Sequence, residues 1–259
     1  MTDLLVTTVL VLQPSETNPL GPMEQWLLDA GVQLRTVRPY AGDSVAGSLE
    51  GVDAVVCLGG EMDAADDVSF PWLPQVRALL SVAVRQGVPV LALCLGAQLL
   101  ALAAGGAVRA MPAGPEAGLR LVAKRDAAAG DPLLAGLPFT PDVVQFHRAE
   151  VSRLPASAQL LAVSEHCTNQ AFRVGSCAWG LQFHIETTPD LLRQWMAASP
   201  EVTDAMPLSN SEDGVLEQGH LDMAETWAPI VRRFAELAAL PAGSGVGEGR
   251  VYLPLLGES

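Results

Sequence analysis

The residues best suited to chemistry include a cysteine at a junction between a strand and a helix. Residues 88–93 form an apolar run that ends at Cys94, and a helical pattern begins within two residues, at Gly96. Such an abrupt change needs a tight turn, which lifts one side chain above the sheet edge, as at a nucleophile elbow. We expect the helix N-terminus to favour a thiolate there. The alternative is a buried cysteine that acts only as a small apolar residue.

A histidine and a carboxylate form the second candidate group. An apolar strand ends at His184, and Glu186 follows two residues later. If the strand continues, the two side chains point the same way, because side chains alternate along a strand. A thiol nucleophile needs a base that takes and returns its proton, and the base needs an orienting group. Taken alone, His184 would be a structural histidine, and Glu186 would favour the start of the next helix.

A pair of glycines, Gly59 and Gly60, follows another apolar strand. Acyl transfer needs N–H donors for the developing oxyanion, and the N–H groups of Gly60 and Leu95 are the candidates. Glycine also lets the backbone at Gly59 approach a substrate closely. Ligands of parallel sheets bind beyond the carboxyl ends of the strands, so the glycines and Cys94 are expected to share one site. A plain turn is the alternative.

Strand patterns alternate with helical patterns in the first part of the chain. The predicted strands are 4–12, 32–37, 52–58 and 88–93, and the predicted helices are 23–30, 71–86 and the segment after Cys94. This alternation predicts an α/β fold, with a mostly parallel sheet and helices on both faces. Short strand-like runs follow between residues 105 and 180, at 119–123, 143–146, 159–163, 170–174 and 177–183. They predict β-hairpins attached to the parallel core.

The last part of the chain predicts two helices. Thr188 is placed as an N-cap and Pro189 as the first helical residue, and this helix would run to about Ala198. Residues 200–219 are polar and irregular, and a second amphipathic helix is predicted over 220–240.

The predicted domain organisation is one catalytic domain with a helical extension. We expect the domain to cover residues 1–198 and the extension to cover 199–259, packed on the domain, with a mobile tail from about 241. His220 is expected at the surface, at the start of the second helix.

Composition limits the partners and the compartment. The net charge of −14 makes nucleic acids and anionic membranes poor partners. No apolar run is long enough to span a bilayer, and the first residues lack a basic segment, so a cytoplasmic protein is expected. The four cysteines have no CxxC spacing, which predicts free thiols and no metal site. We expect no cofactor, core positions for Cys57 and Cys177, and no metal at His166 and Cys167.

Several motifs together resemble those of the class I (triad) glutamine amidotransferases, over roughly residues 3–195. Residues 169–173 resemble a segment of stand-alone members related to the glutaminase domain of GMP synthetase. The matching stretches are Leu58-Gly-Gly60, Cys94-Leu-Gly-Ala-Gln98, Gly114-Pro-Glu116-Ala-Gly118, Phe146-His147, Asn169-Gln-Ala-Phe-Arg173 and Gly180-Leu-Gln-Phe-His184-Ile-Glu186.

The resemblance implies a fold, a reaction and a set of roles. The fold would be a flavodoxin-like sheet with an added β-ribbon region. Cys94 would attack the side-chain amide of glutamine, and a γ-glutamyl thioester would form. His184 would protonate the departing ammonia and then activate water, while Glu186 would hold the imidazole. Gln98 and the backbone near His147 and Arg148 would hold the amino-acid end of glutamine. Gly59 would also belong to the substrate-binding residues.

The chain departs from the family pattern at three places. Ile185 replaces a proline between the histidine and the glutamate, and Glu61 replaces a proline after the two glycines. Arg148, Ala149 and Glu150 follow His147, where family members often have His-x-Asp. This last difference affects substrate recognition most. Arg148 either meets a carboxylate on a substrate other than glutamine or is an exposed arginine with no specific role.

Three functions remain open on the sequence. The first is a glutamine amidotransferase that delivers ammonia to an acceptor on a separate polypeptide, since no ATP-binding loop with a following lysine is visible. This function implies a synthetase partner in trans. The second is a free-standing hydrolase of another γ-glutamyl amide. The third is a non-enzymatic interaction or redox-sensing protein that uses Cys94 as its sensor. The oligomeric state is left open.

Overall fold

A computed structural model describes residues 6–240 of the chain. The strands are β1 (Thr8–Leu12), β2 (Gln33–Val37), β3 (Ala54–Cys57), β4 (Val90–Leu93), β5 (Ala107–Ala110), β6 (Glu116–Leu121), β7 (Ala123–Lys124), β8 (Asp142–His147), β9 (Ala149–Arg153), β10 (Ala158–Val163), β11 (Ala171–Val174) and β12 (Ala178–Leu181). The helices are α1 (Met23–Asp29), α2 (Leu73–Gln86), α3 (Leu95–Ala103), α4 (Pro189–Ala198), α5 (Pro200–Thr203) and α6 (Val215–Ala238).

One eight-stranded sheet organises the molecule, in the order β2-β1-β3-β4-β12-β11-β10-β7. The five strands from β2 to β12 are parallel, and the last three continue the sheet antiparallel. Two antiparallel pairs, β5 with β9 and β6 with β8, stand outside it. The predicted α/β fold with a mostly parallel, flavodoxin-like sheet is confirmed.

The parallel strands are buried on both faces, which explains their continuous apolar runs. Along β1, Val9 and Val11 belong to one core cluster, whereas Leu10 and Leu12 belong to the other. The first cluster includes residues of α1, α4 and α6, and the second includes residues of α2 and α3. The helices therefore cover both faces, as predicted, and the strand ends remain available for a site.

The predicted helix at Thr188 forms as expected, because the Thr188 side chain accepts a hydrogen bond from Leu191 N–H at 3.2 Å. The final helix starts five residues earlier than predicted, at Val215. His220 therefore lies inside α6, so the predicted position at the helix start is wrong, and its side chain is half-buried rather than fully exposed. Its Nδ1 lies 2.7 Å from the Leu216 carbonyl oxygen, and its Nε2 lies 3.1 Å from Thr187 Oγ1.

Several strands differ from the sequence prediction. Strands β5 and β9 were not predicted, and β6 begins at Glu116 rather than at residue 119. Strand β12 ends at Leu181, so His184 does not continue a regular strand. The start of the predicted strand 4–12 and the predicted tail from about 241 lie outside the described residues. The domain boundary at 198 stays a prediction.

None of the helices between residues 6 and 240 is both long enough and apolar enough to cross a membrane.

Candidate active site

Cys94 occupies the predicted sharp turn between β4 and α3. Its backbone angles are φ 48° and ψ −108°, and among the described residues it is the sole non-glycine residue with a positive φ. Backbone strain of this kind is concentrated at functional sites. Gly96 permits the turn, because a Cβ there would lie 2.2 Å from the Cys57 carbonyl oxygen. The elbow geometry predicted from the sequence is therefore present.

Cys94 lines a cavity of about 510 Å³. Cys94 is 6% exposed, so a substrate reaches its sulfur through the cavity rather than from an open surface. Cavities of this size are typical of small-molecule sites. We call the buried part of the lining the floor; it includes Gln98 and His184, and we count Glu186, the partner of His184, with it. The exposed part of the lining is the mouth, which includes Glu61, Arg148 and Glu201.

His184 lies beside Cys94 and Glu186 lies beside His184, although not for the reason that the strand pattern suggested. Beyond the end of β12, an isolated bridge to Val144 of β8 holds the His184 backbone, with His184 N–H donating to the Val144 carbonyl oxygen at 2.8 Å. Glu186 Oε1 lies 2.7 Å from His184 Nδ1, and Glu186 Oε2 accepts from Ile185 N–H at 2.9 Å. Ile185 thus supplies a backbone donor that a proline lacks.

The imidazole of His184 is buried with one nitrogen free. Nδ1 is held by Glu186, whereas Nε2 has no hydrogen-bond partner among the described residues. Burial lowers the pKa of His184, but the charges of Glu186 and Cys94 outweigh it and raise the pKa to about 10. The geometry and the charges therefore favour an imidazolium that can donate a proton from Nε2.

Trp195 forms a wall against the imidazole that sequence reasoning missed. The two ring centroids are 4.7 Å apart with an interplanar angle of 59°. The indole Nε1–H donates to the Thr17 carbonyl oxygen at 2.8 Å, so α4 is tied to the loop after β1. On another side of the ring, a Cβ at Gly59 would lie 3.0 Å from His184 Cε1. Trp195, Gly59 and Glu186 together restrict the imidazole to one orientation.

The two N–H groups that we predicted to bind the oxyanion are not used in other hydrogen bonds in the described part of the chain. Neither Gly60 N–H nor Leu95 N–H forms a hydrogen bond within the described residues. Gly60 lines the cavity, and Leu95 is the first residue of α3, where N–H groups have no acceptor within the helix. Both donors are therefore available to a negatively charged oxygen near Cys94.

Gln98 is anchored by two polar groups. Its Nε2 donates to the Ala149 carbonyl oxygen at 3.2 Å and to Gln182 Oε1 at 3.3 Å. Gln182 Nε2 in turn lies 3.9 Å from the Cys94 sulfur. The sequence analysis assigned no role to Gln182, although the residue lies within the motif that contains His184.

His147 and Arg148 both line the cavity but differ in their surroundings. The His147 ring is buried. Its Nδ1 lies 3.0 Å from the Ala149 carbonyl oxygen. The Arg148 side chain is exposed and pairs with Glu201 at 3.2 Å. At this position, the His147 ring is therefore engaged below the surface, whereas the Arg148 side chain is exposed.

The remaining cysteines are buried free thiols. Burial raises the pKa of Cys57 and of Cys167 to about 12, and it also raises the pKa of Cys177. These thiols are consequently poor nucleophiles. Within the described part of the chain, no group of three or more His, Cys, Asp or Glu side chains is arranged to hold a metal ion.

Comparison with protein families gives a match that spans most of this site. The family model described as glutamine amidotransferase class-I matches residues 23–198. Cys94, His184, Glu186 and Trp195 lie inside the matched segment, whereas Glu201 lies beyond it.

Three relatives show what the chain is similar to. It is 29% identical to the glutamine amidotransferase-like protein YfeJ of Salmonella typhimurium, over 71% of this chain and 78% of that protein. It is 28% identical to the glutamine-hydrolysing GMP synthase of Porphyromonas gingivalis, over 85% of this chain but 38% of that protein. It is 28% identical to gamma-glutamyl peptidase 3 of Arabidopsis thaliana, over 56% of this chain and 58% of that protein. The chain thus spans little more than a third of the GMP synthase.

A solved structure shares most of this architecture. The crystal structure of a glutamine amidotransferase from Methylobacillus flagellatus superposes with a TM-score of 0.77, at 28% sequence identity, over 90% of this chain and 94% of that chain.

Proposed function

The chain belongs to the class-I glutamine amidotransferase family, and we propose that it hydrolyses the side-chain amide of glutamine through a γ-glutamyl thioester on Cys94. The ammonia would pass to an acceptor on a separate polypeptide. The observation that carries this proposal is the free Nε2 of His184 beside Cys94, with Nδ1 held by Glu186 at 2.7 Å. A nucleophile, a proton carrier and an orienting carboxylate are the parts that thiol acyl transfer requires.

The first half of the reaction forms the thioester. The Cys94 sulfur attacks the amide carbon, and the N–H groups of Gly60 and Leu95 stabilise the negative oxygen of the tetrahedral intermediate. His184 donates its Nε2 proton to the amide nitrogen, the C–N bond breaks, and ammonia leaves. Glu186 keeps the charged imidazole in place during this step.

The second half releases glutamate. His184 now takes a proton from a water molecule, and the hydroxide adds to the thioester carbon. The C–S bond breaks, and the sulfur leaves as a thiolate, which pairs again with the protonated imidazole. Gln98 and the backbone of the loop at His147 and Arg148 hold the amino-acid end of the substrate through both halves.

A partner in trans is part of the proposal. The chain matches 38% of a GMP synthase, a protein whose name states that it hydrolyses glutamine. We propose that a synthetase on another polypeptide supplies the acceptor for the ammonia. We also propose that residues 1–198 form the catalytic domain and that 199–259 form an extension of it.

The test is a glutaminase assay on the purified chain, with glutamate and ammonia both measured. Acid quenching during turnover should trap a protein that is heavier by one γ-glutamyl group. The Cys94→Ala variant is the control and should give neither product nor adduct. A wild-type chain that forms no adduct and releases no glutamate, alone or with a synthetase, contradicts the proposal.

A second candidate is a hydrolase of larger γ-glutamyl amides. The similarity to a gamma-glutamyl peptidase favours it, and so does the charged mouth of the cavity, where Arg148 and Glu201 pair. The chemistry at Cys94 would be the same, but the leaving group would be a larger amine. Turnover of γ-glutamyl amino acids and amines without turnover of glutamine would establish this candidate and exclude the first.

A further inference from the structure

A buried carboxylate lies directly behind the loop that lines the cavity. Glu116 is 1% exposed, and in the antiparallel pair of β6 and β8 it lies opposite His147. Its Oε1 accepts from Ser164 Oγ at 2.8 Å, and its Oε2 accepts from Gln170 Nε2 at 2.7 Å. A buried carboxylate with this many partners has a defined position.

The charge of Glu116 is retained despite its burial. Burial raises the pKa of its carboxyl, but the hydrogen bond and charge of His147, together with Ser164 and Arg120, lower it below its usual value. Glu116 Oε2 lies 3.3 Å from His147 Nε2. The carboxylate is therefore an anchor for the His147 ring.

The His147 ring connects the Glu116 carboxylate to the backbone that lines the cavity. Its Nε2 lies 2.8 Å from Gln145 Oε1 and close to Glu116, on the buried side. Its Nδ1 lies 3.0 Å from the carbonyl oxygen of Ala149, which can only accept. A ring that donates from Nδ1 thus fixes the backbone of the loop two residues further along.

The same carbonyl oxygen also holds Gln98. Gln98 Nε2 donates to Ala149 O at 3.2 Å, so one oxygen joins the loop to the helix that begins at Cys94. A continuous series of contacts leads from Glu116 through His147 and Ala149 to Gln98.

From this series we propose that Glu116 and His147 are positioning residues for the substrate subsite. They hold the loop of residues 147–149 and the Gln98 amide in the arrangement that receives the amino-acid end of the substrate. Neither side chain touches the reacting atoms. The inference rests on the proposed function, because it concerns the same cavity and the same substrate.

The experiment compares Glu116→Gln, His147→Gln and the double variant with the wild type. Each single variant should raise the KM for glutamine about tenfold and change kcat less than about threefold, because binding is lost while the residues around Cys94 remain. The double variant should resemble the single variants, since both changes break one series of contacts.

Glu150→Gln is the matched control. Glu150 is also a buried carboxylate next to the loop, but its partner is Arg109 at 2.8 Å, and among the described residues no hydrogen bond or ion pair joins it to His147. We expect a lower thermal midpoint for Glu150→Gln with an unchanged KM. If Glu116→Gln lowers the midpoint equally and also leaves KM unchanged, its role is structural and the inference is wrong.

Alkylation of Cys94 separates failure of this inference from failure of the proposed function. A glutamine analogue with an electrophilic side chain should inactivate the wild type rapidly and Glu116→Gln about tenfold more slowly, whereas iodoacetamide should label both at similar rates. If the wild type does not react selectively with the analogue, the proposed function fails. If both proteins react equally with the analogue, only the positioning role fails.

Discussion

The floor and the mouth of the cavity are built in opposite ways. At the floor, the side chains of His184 and Glu186 are 1% and 0% exposed and lie 2.7 Å apart. At the mouth, the side chains of Arg148 and Glu201 are 57% and 61% exposed and lie 3.2 Å apart. Both pairs join a cationic and an anionic group, but only the floor pair is shielded from water.

This difference assigns different tasks to the two regions. Charges that are shielded from water interact strongly and hold a fixed geometry, as acyl transfer requires. Exposed ion pairs are weakened by solvent and salt, so the mouth can rearrange around different ligands. We therefore propose that the floor determines the reaction and that the mouth determines which leaving group is accepted. The following predictions test this division, from the largest effect to the smallest.

Removing the nucleophile should have the largest effect. Cys94→Ala is expected to lower kcat by at least about 10⁴-fold, because the covalent pathway is lost. The measurement is glutamate release from glutamine, and from γ-glutamyl amines if glutamine is not turned over. An oxidation-sensing protein would instead depend on Cys94 and not on His184. If Cys94→Ala abolishes the activity of the protein but His184→Ala leaves it unchanged, the catalytic role proposed for the floor is wrong.

Removing the charge of Glu186 should have the next largest effect. Glu186→Gln is expected to lower kcat about 10² to 10⁴-fold, as for the carboxylate of other nucleophile triads. The charge of Glu186 raises the pKa of His184, so its loss allows burial to lower that pKa. The alkaline limb of the kcat/KM profile should then move to lower pH by about one unit or more. An unmoved limb would show that Glu186 does not control His184.

The same pair predicts how stability depends on pH. Because the pKa of His184 is raised in the folded state, its stabilising contribution is complete below the ordinary pKa of 6.5 and is lost as pH rises towards 10. Urea midpoints should therefore fall more between pH 6 and pH 10 for the wild type than for Glu186→Gln. Equal losses in both proteins would contradict the raised pKa.

Substitutions at Trp195 test whether its indole ring keeps the His184 imidazole in its orientation. Trp195→Leu removes the ring next to His184 and should lower kcat about tenfold, because the imidazole can then turn away from Cys94. Trp195→Phe keeps a ring but loses the hydrogen bond to Thr17, which costs about 1 kcal/mol of stability and little activity. Equal kcat values for the leucine and phenylalanine variants would mean that the ring does not orient His184.

The floor could be predicted from the sequence because its signals are local. The Cys94 turn follows from an apolar run that changes into a helical pattern, and Gly96 marks the close approach that the turn needs. His184 and Glu186 stand two residues apart. Their geometry nevertheless depends on a backbone bridge to Val144, which the alternation of a single strand cannot reveal.

The supporting residues could not be predicted because their contacts join distant segments. Trp195 looks like any apolar residue on an amphipathic helix until α4 is placed against His184. The pairing of Glu116 with His147 depends on the register of β6 and β8, and the predicted strand at 119–123 started too late to include Glu116. Local patterns define elements, whereas register and packing define which side chains meet.

The mouth should show the smallest effects and the clearest change in selectivity. Glu201→Gln frees Arg148, so γ-glutamyl compounds whose leaving amine carries a carboxylate should gain in kcat/KM by less than about tenfold, the range expected for an exposed pair. Arg148→Ala should reverse this gain, and kcat for glutamine should stay within about threefold in both variants, because the leaving ammonia has no carboxylate for Arg148 to bind. The readout is the ratio of kcat/KM values for an amide with and without the carboxylate, measured at low and high salt. Since solvent screens the pair, added salt should reduce the difference between the variants. An equal loss on every substrate would instead place Arg148 in the subsite for the amino-acid end, and the division between floor and mouth would have to be redrawn.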